Sequence, residues 1–577
     1  MKKILVILVA IALLLAACGG NTQPPATTTA ATTEAATTQA ATTQAAATEA
    51  ATTQAATTEA PVSQDDVMTP YGRYPETIIL TTATQSSWSP GLVDGEDVEN
   101  NAMTKFIYDR ANIKIQVLWE SPDFGERLAM AIAANDLPDM FTLSPEYYLM
   151  FKQLVDNDRL EDLTDAYNAC ANEYTKTELL SYGGRNLEPF RDGNRLLAFA
   201  GGQYGYEHNQ LWLRQDWMEK YDLSAPSTLE DIESILSVWR DDPPTEDYVG
   251  MVLDPHDIGG VYQYQSAAPV FAAFGAYPGA WVQNSAGEII WGSVAPEMKN
   301  GLEVLAKWYA EGLIDKQFPT RIAEGATESL ILSGASGAVF VPWWYPYAID
   351  RFPFMNPTGE LKAFNAPLDS SGKFNIMFPG PASEFVMIRK GYAHPEALFK
   401  VINLEFDAWR EFDQELADLI RPNRDNGVDW GYIFPTGFFN IEPDDVIPRV
   451  GALAKAMVET GSLGGLTGTP MDVNMAENAA EYARTGEAEG MNWVDYYCRY
   501  MASNLMEVPE INIVYPKFSF ITESMADIKP NLDTLEARVF LQIIMGEQPV
   551  EAFDQFVTDW YNQGGTIMTE EVRATAG

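Results

Sequence analysis

The chain has 577 residues, of which 81 are Asp or Glu and 37 are Lys or Arg, giving a formal net charge of −44 at pH 7. Such an acidic chain repels phosphate backbones and anionic lipid, which excludes nucleic acid and charged membrane surfaces as partners. The length also exceeds what one hydrophobic core supports, so two or more lobes are expected.

Residues 1–17 have the order of a secretory signal peptide: two lysines, an apolar run, then small residues. The run is shorter than the roughly 20 residues of a membrane-spanning helix. Leu-Ala-Ala-Cys at 15–18 resembles the bacterial lipobox, which implies cleavage after Ala17 and lipidation, including palmitate, of Cys18. Two or more acyl chains anchor a protein stably. We therefore expect a lipid-anchored protein on the extracellular face of the cell membrane; an ordinary signal peptide is the alternative.

Residues 18–69 are predicted to form a disordered tether. The segment repeats Ala, Thr, Glu and Gln and contains no aromatic residue, Lys or Arg. It has no apolar face whose burial could offset the entropy of ordering it. About 50 residues of coil reach on the order of 40 Å, which would hold a folded body clear of the membrane. A glycosylated stalk is the alternative.

The folded part begins with an α/β pattern. A buried strand is predicted over 76–83, an alternating strand over 112–120, and a helix followed by a strand at 140–143. Strand, helix and strand at this spacing predict a parallel sheet with crossover helices.

Further along the chain, two amphipathic helices have clear boundary signals. Thr228 is the expected N-cap of a helix starting at Leu229, and Gly312 is expected to end a helix that starts near Pro296. A strand is predicted at 337–341, then a strand and a helix between 384 and 406. The C-terminal part has a mainly helical pattern.

Four segments resemble extracellular solute-binding protein family 1, the substrate-binding lipoproteins of ABC importers in Gram-positive bacteria. They are "AIAANDLPDM", "LWLRQDWMEKYDLSAPSTLEDI", "KWYAEGLIDKQF" and "IIMGEQPVEAFDQFVTDWYNQGG". The resemblance implies an α/β, bilobal, periplasmic-binding-protein-like fold, with two α/β lobes around a hinge cleft and a helical C-terminal part. The solute-binding domain would cover 70–577, with lobe 1 at about 70–195 and 325–380 and lobe 2 at about 196–324 and 381–577.

The implied function is capture of a polar solute, an oligosaccharide, by lobe closure and its delivery to the ABC permease subunits in the membrane. The protein would be a monomer and not an enzyme. A secreted cell-surface glycoside hydrolase and a surface adhesin are the alternatives. Other solute classes, such as peptides or amino sugars, stay open.

Candidate ligand-binding residues come from loops at strand ends, because open parallel sheets bind ligands beyond the carboxyl ends of their strands. Aromatic faces suit the C–H faces of sugars, and carboxylates or amides suit their hydroxyls. Trp88 and the Trp343–Trp344 pair are assigned to one lobe, and the segments Tyr204–His208 and Tyr262–Trp281 to the other. For each aromatic residue, packing in a core is the alternative. The full candidate set is Trp88, Asp94, Tyr204, Tyr206, His208, Asn209, Arg214, Tyr262, Tyr264, Trp281, Trp343, Trp344 and Tyr345.

No catalytic, cofactor or metal motif stands out. The chain has three histidines without metal-ligand spacing, and no P-loop or Rossmann fingerprint. The acidic stretch from Asp94 to Glu99 is predicted to be a solvated face or a helix start, because it lacks the order of a calcium loop. Cys170 and Cys498 remain after Cys18, and the sequence does not decide whether they pair.

Overall fold

The computed structural model of the chain describes residues 67–85, 92–93, 95–202, 208–256, 258–260, 265–323, 325–378, 380, 382–425, 433–437 and 442–576. The predicted signal peptide, Cys18 and nearly all of the predicted tether lie outside the described residues.

The strands of the described residues are β1 (Ile78–Gln85), β2 (Ile113–Ser121), β3 (Met140–Leu143), β4 (Arg191–Asp192), β5 (Arg195–Leu196), β6 (Phe199–Gly202), β7 (Asn209–Arg214), β8 (Trp281–Gln283), β9 (Ile289–Trp291), β10 (Ala338–Pro342), β11 (Leu361–Phe364), β12 (Phe374–Met377), β13 (Ala382–Ile388) and β14 (Ile511–Val514).

The α-helices are α1 (Ala102–Ala111), α2 (Phe124–Ala134), α3 (Tyr148–Asp156), α4 (Thr164–Cys170), α5 (Glu173–Leu179), α6 (Gln215–Lys220), α7 (Leu229–Asp241), α8 (Ala268–Ala272), α9 (Met298–Glu311), α10 (Glu328–Leu332), α11 (Phe352–Met355), α12 (Ala397–Trp409), α13 (Gln414–Asp425), α14 (Val446–Thr460), α15 (Pro470–Thr485), α16 (Asn492–Asp495), α17 (Glu523–Ile544), α18 (Ala552–Trp560) and α19 (Thr566–Ala576). Two π-helical segments, Tyr496–Ala502 and Tyr561–Gly565, follow α16 and α18.

The first α/β body confirms the predicted opening of the fold. β1 and β2 pair in parallel, with Ile78 opposite Ile113, and α1 connects them. β13 lies between β3 and β6 and runs antiparallel to both. β3 packs beside β1, where the buried Asp139 carboxylate accepts hydrogen bonds from the backbone N–H and the hydroxyl of Thr81. The first body therefore contains a two-stranded parallel sheet and a three-stranded antiparallel sheet, rather than the single parallel sheet that was predicted.

The acidic stretch before α1 is a helix start, one of its two predicted forms. The Glu96 carboxylate accepts a hydrogen bond from the backbone N–H of Ala102 at 3.0 Å. Asn101 is the N-cap and forms a capping box with Thr104. The acidic side chains thus stabilise the N-terminus of α1.

The second body is built around β7, which lies between β10 and β11 and is antiparallel to both. The two helix boundaries predicted from Thr228 and Gly312 are confirmed in this body. Thr228 forms a capping box with Asp231 at the start of α7, and Gly312 ends α9 with a φ of 77°, a left-handed conformation that glycine adopts at little cost. α9 begins at Met298 rather than in the Pro296 turn.

Three large hydrophobic cores correct the predicted lobe boundaries. The first core draws its residues from 67–200 and 378–434, the second from 211–377 and 525–572, and the third from 212–363 and 446–506. Segment 338–377 therefore packs with the second body and segment 382–434 with the first, the reverse of the prediction. The reason is strand pairing, because β10 and β11 bond to β7 while β13 bonds to β3 and β6. Trp343–Trp344 accordingly belong to the second body.

The predicted helical C-terminal part is confirmed by α14 to α19. Cys170 lies in the first core and Cys498 in the third, and both are buried free thiols. Among the helices of the described residues, none has both the length and the apolarity to cross a bilayer.

Candidate functional site

The ends of three strands lie together on one edge of the first body. β3 and β6 are both antiparallel to β13, so their carboxyl ends, at Leu143 and Gly202, lie on the same edge as the amino end of β13 at Ala382. Ligands of open α/β sheets bind beyond carboxyl ends of this kind. We call this the first edge.

The segment 433–437 also contacts the first edge. The hydroxyl of Thr82 on β1 donates to the carbonyl of Pro435 at 3.4 Å, and the hydroxyl of Thr142 on β3 donates to the carbonyl of Thr436. Thr82 and Thr142 thus contact consecutive residues of the segment 433–437. The carboxyl halves of β1 and β3 therefore lie on the same side of the first body.

A buried carboxyl group supports that segment from behind. Glu405 on α12 accepts hydrogen bonds from the backbone N–H of Thr436, at 3.1 Å, and from its hydroxyl. Burial raises the pKa of Glu405 to about 8. The side chain is therefore mainly a neutral acid at pH 7, which avoids an uncompensated charge in the core.

The second body presents a matching edge. Asn209, at the amino end of β7, lies opposite Pro342, at the carboxyl end of β10. β12 and β14 are parallel, and their carboxyl ends pair at Met377 and Val514. The chain leaves this body at Met377, which packs in the second core, and the next residue, Phe378, already packs in the first. We call this the second edge.

The two edges lie where the chain passes between the bodies, at 202–208, 378–382 and 434–446. The segment after β14 also connects them: Phe520 stacks on Tyr148 of the first body with 4.2 Å between ring centroids, while Phe518 packs against the second core. The space between the first and second edges is therefore the candidate binding site.

Trp343 and Trp344 follow β10 at the second edge, as predicted for a strand-end loop. Trp343 is only 3% exposed and packs in the third core, with the Arg499 guanidinium 4.3 Å from its ring centroid. Trp344 is only partly buried. Core packing, the alternative given for every aromatic candidate, therefore describes Trp343, whereas Trp344 keeps an exposed surface.

His208 and Asn209 are buried where the chain enters the second body. They line a small cavity of about 30 Å³ together with Phe374, whose ring centroid is 5.1 Å from that of His208. The cavity has room for a water molecule or two and not for a sugar ring. The cavity also touches Met377, so His208 and Asn209 pack the crossing point at the second edge, and their predicted contact with a ligand stays a prediction.

Three other candidates have structural roles in the second body. Arg214 lies at the far end of β7 and forms a bidentate ion pair with Asp216, at 2.6 and 2.7 Å. Trp281 is 3% exposed and packs against Trp291. Tyr345 is buried in the third core. Apolar burial accounts for the positions of the two aromatic side chains and charge pairing for that of the arginine, and the predicted contact of these three residues with a ligand stays a prediction.

The remaining candidates lie outside the described residues. They are Trp88, Asp94, Tyr204, Tyr206, Tyr262 and Tyr264. Their role in ligand contact stays a prediction.

Two aromatic residues at the edges escaped the sequence analysis. Trp119 precedes the carboxyl end of β2 and is half-buried, with the Arg127 guanidinium 5.6 Å from its ring centroid. The strand-end rule also predicts Trp119 when it is extended from β1 to β2. Tyr515 directly follows β14 and is 37% exposed. The sequence carries a strand signal here, because Ile-Asn-Ile-Val at 511–514 alternates and is bounded by Pro509 and Pro516, but the mainly helical pattern of the C-terminal part concealed it.

Tyr515 is part of a charged junction between the bodies. The guanidinium of Arg185, from the first body, lies 4.3 Å from the Tyr515 ring centroid and 3.8 Å from a carboxylate oxygen of Asp444. Burial and the neighbouring Asp445 raise the pKa of Asp444. The Arg185 guanidinium covers one face of the Tyr515 ring, and the exposed remainder of the ring is available to the C–H face of a ligand.

A second, open groove of about 500 Å³ lies between α1 and β2. It is lined by residues such as Thr77 and Lys114, at the amino ends of β1 and β2, and so lies away from the first edge. Within the described ranges, no group of three or more His, Cys, Asp or Glu side chains is arranged to hold a metal ion.

Solved structures with a similar fold are ABC-transporter solute-binding proteins. The HMO binding solute-binding protein of Bifidobacterium longum infantis aligns with 13% identity and a TM-score of 0.59, over 87% of this chain and 98% of that chain. FusA of S. pneumoniae, in complex with kestose, aligns with 13% identity and a TM-score of 0.52, over 86% and 99%. The alginate-binding protein AlgQ2 aligns with 16% identity and a TM-score of 0.50, over 87% and 98%.

No protein-family model and no curated protein matches the chain in sequence. At these low identities the structural likeness establishes the fold: two α/β bodies around a hinge, as in periplasmic-binding-protein-like structures. The predicted resemblance to extracellular solute-binding proteins is confirmed at that level. These neighbours are binding proteins rather than enzymes.

Proposed function

We propose that this chain is the substrate-binding lipoprotein of an ABC importer and that it captures an oligosaccharide between its two bodies. The observation that carries the proposal is the pair of strand edges, one from each body, at the points where the chain crosses between them. Neighbours of the same fold whose printed names or ligands are glycans support the sugar class.

Capture would depend on contacts from both edges. Trp119 on the first body, and Trp344 and Tyr515 on the second, offer aromatic surface for the C–H faces of sugar rings. A ligand shifts the balance between open and closed forms only by its difference in affinity for the two, so a ligand that touches both edges favours closure.

Lipidation of Cys18 would keep the protein at the extracellular face of the cell membrane, near the permease that receives the solute. The tether between Cys18 and the first described residues is long enough to let the folded body reach a membrane partner. The body itself needs no attraction to lipid, which agrees with its net negative charge.

A thermal-shift screen of the full chain against a library of oligosaccharides tests the proposal. A ligand that binds only the folded state at a hundred times its Kd stabilises it by about 2.7 kcal/mol. Trp119→Ala and Tyr515→Ala should weaken binding of each hit, while Phe354→Ala, which removes a 69% exposed ring away from both edges, should not.

The same hits separate binding from hydrolysis. The proposal expects each oligosaccharide to be recovered unchanged after prolonged incubation with the protein, as judged by product chromatography. Saturable release of shorter products would favour the glycoside hydrolase instead.

A further inference from the structure

We infer that the site takes a glycan without carboxylate, phosphate or sulfate groups, an inference that rests on the proposed function. Sites for anionic ligands are built on cations, above all on arginine, whose planar fork pairs with carboxylate and phosphate oxygens. The positions of the cations in this chain therefore bear on which ligands it can bind.

The structure describes the positions of nearly all lysines and arginines of the folded part. Apart from Lys2 and Lys3, every Lys and Arg occupies a described position, and only the side chain of Arg424 is not described. A binding cation cannot come from the loop segments outside the described residues, because 86–91, 203–207, 261–264, 426–432 and 438–441 contain no Lys or Arg.

None of the residues at the strand ends of either edge is Lys or Arg. On the first edge these ends are Gln85, Ser121, Leu143, Gly202 and Ala382. On the second edge they are Asn209, Pro342, Phe364, Met377 and Val514. The strand ends thus offer hydroxyl, amide, aromatic and apolar groups.

The arginines nearest the edges are already engaged by protein groups. Arg127 lies over Trp119, Arg185 over Tyr515 with Asp444 beside it, and Arg499 is buried against Trp343. Recruiting one of these to an anionic ligand would break a stacked or paired arrangement. Lys362 lies over the Phe364 ring, and Lys517 is the exposed cation two residues beyond Tyr515.

Acidic residues, by contrast, are frequent beside the strand ends. The stretch 86–99, after β1, carries four carboxylates and no cation, and 426–445, which leads to the second body, also carries four carboxylates and no cation. Glu442, Asp444 and Asp445 each pair with an arginine. The excess of carboxylates in a chain of net charge −44 nevertheless opposes an approaching anion over about 8–10 Å at physiological ionic strength. A neutral or amino-substituted glycan meets no such barrier.

Matched pairs of oligosaccharides test the inference. For each neutral hit of the screen, isothermal titration calorimetry compares it with the uronate of the same length and linkage, for example β-1,4-mannotetraose with tetra-β-1,4-mannuronate. These two ligands differ only in oxidation at C6. We expect the neutral member to bind at least tenfold more tightly at 150 mM NaCl, and Lys517→Gln to leave that preference unchanged.

The outcomes separate this inference from the proposed function. Equal or tighter binding of the uronate member overturns the inference, as does loss of uronate binding in Lys517→Gln, while capture of a glycan still stands. If neither series binds and a peptide or amino-acid library does, the proposed function fails and takes the inference with it.

Discussion

At the scale of single residues, Trp343 and Trp344 are neighbours with different environments. β10 ends at Pro342; the next side chain, Trp343, is buried in the third core, and Trp344 packs against that core but stays partly exposed. Trp343 loses nearly all its exposure and is covered by Arg499, whereas Trp344 is only partly buried. A large buried ring contributes mainly to stability, and a partly exposed one is available to a ligand.

We therefore expect Trp343→Ala to lower the free energy of unfolding by about 3–5 kcal/mol. Trp344→Ala should change unfolding far less and should weaken binding of a screened oligosaccharide by about 1–3 kcal/mol. Denaturant unfolding and calorimetric titration of both variants separate the two effects. The reverse pattern, with Trp344→Ala unfolding early and Trp343→Ala binding poorly once folded, would contradict this assignment.

Glu405 gives a pH dependence whose sign follows from burial. Its pKa is raised from an ordinary value of 4.5 to about 8, so between these values the folded chain keeps a proton that the unfolded chain has released. The free energy of unfolding must then fall as pH rises through this window, by up to about 1.4 kcal/mol per pH unit from this group.

Glu405→Gln should remove that slope, because glutamine is neutral at every pH and its amide oxygen can still accept the Thr436 N–H. Unfolding measured at pH 5, 6.5 and 8 should show the variant gaining stability over the wild type as pH rises. The exposed Glu415→Gln on α13 is the matched control and should follow the wild type. Parallel slopes for Glu405→Gln and wild type would show that Glu405 is ionised in the fold.

At the scale of elements, α12 fixes the start of the folded part. The buried ammonium group of Lys400 donates to the carbonyls of Val67 and Thr69, each at 2.6 Å, and the Asn403 amide donates to the carbonyl of Pro70 at 2.9 Å. A buried lysine is costly unless such acceptors satisfy it. The helix therefore anchors residues 67–70, which connect the predicted tether to the first body.

Lys400→Met should release this segment while keeping most of the buried volume. We expect faster hydrogen exchange in peptides that cover 67–74 and a loss of about 1–3 kcal/mol of stability, since one buried and one partly buried carbonyl lose their donor. Lys390→Met, at an exposed lysine after β13, is the control. Unchanged exchange at 67–74 would show that other contacts suffice to hold the segment.

The hydrophobic pattern, turn residues and capping residues of a segment were enough to predict the strands and helices that depend on that segment alone. β1 to β3 follow hydrophobic alternation and turn residues, and α7 follows its Thr228 cap. The pairing of β10 with β7 could not be predicted, because the two strands are more than 120 residues apart and nothing in either names its partner. The lobe assignment of Trp343 and Trp344 failed for this reason. The burial of Trp343 likewise depends on Arg499, from a distant helical segment.

At the scale of the whole molecule, the proposed attachment depends on Cys18. The apolar run that ends in Leu-Ala-Ala-Cys is followed by a spacer without Lys or Arg. Cys18→Ser should abolish incorporation of labelled palmitate and release the protein into the medium or leave it unprocessed, because one thiol carries the acyl chains. Ser63→Ala, within the spacer, is the control. Continued lipidation of Cys18→Ser would overturn the anchor.

Closure around a ligand should be visible in the dimensions of the whole molecule. The bodies are joined at chain crossings and by the segment after β14, where Phe520 stacks on Tyr148. A ligand bound by both edges favours the form in which they approach, so saturating oligosaccharide should reduce the radius of gyration measured by small-angle X-ray scattering.

Phe520→Ala removes the ring that stacks on Tyr148 and so weakens the contact of the segment after β14 with the first body. We expect the ligand-induced compaction to persist, with affinity lowered by about 0.5–1.5 kcal/mol, the worth of an aromatic pair, because the bodies are less well preorganised for closure. Phe354→Ala, which removes an exposed ring elsewhere, should bind and compact like the wild type. A scattering curve unchanged by saturating ligand would mean that the ligand binds to one body alone and that the two edges do not act together.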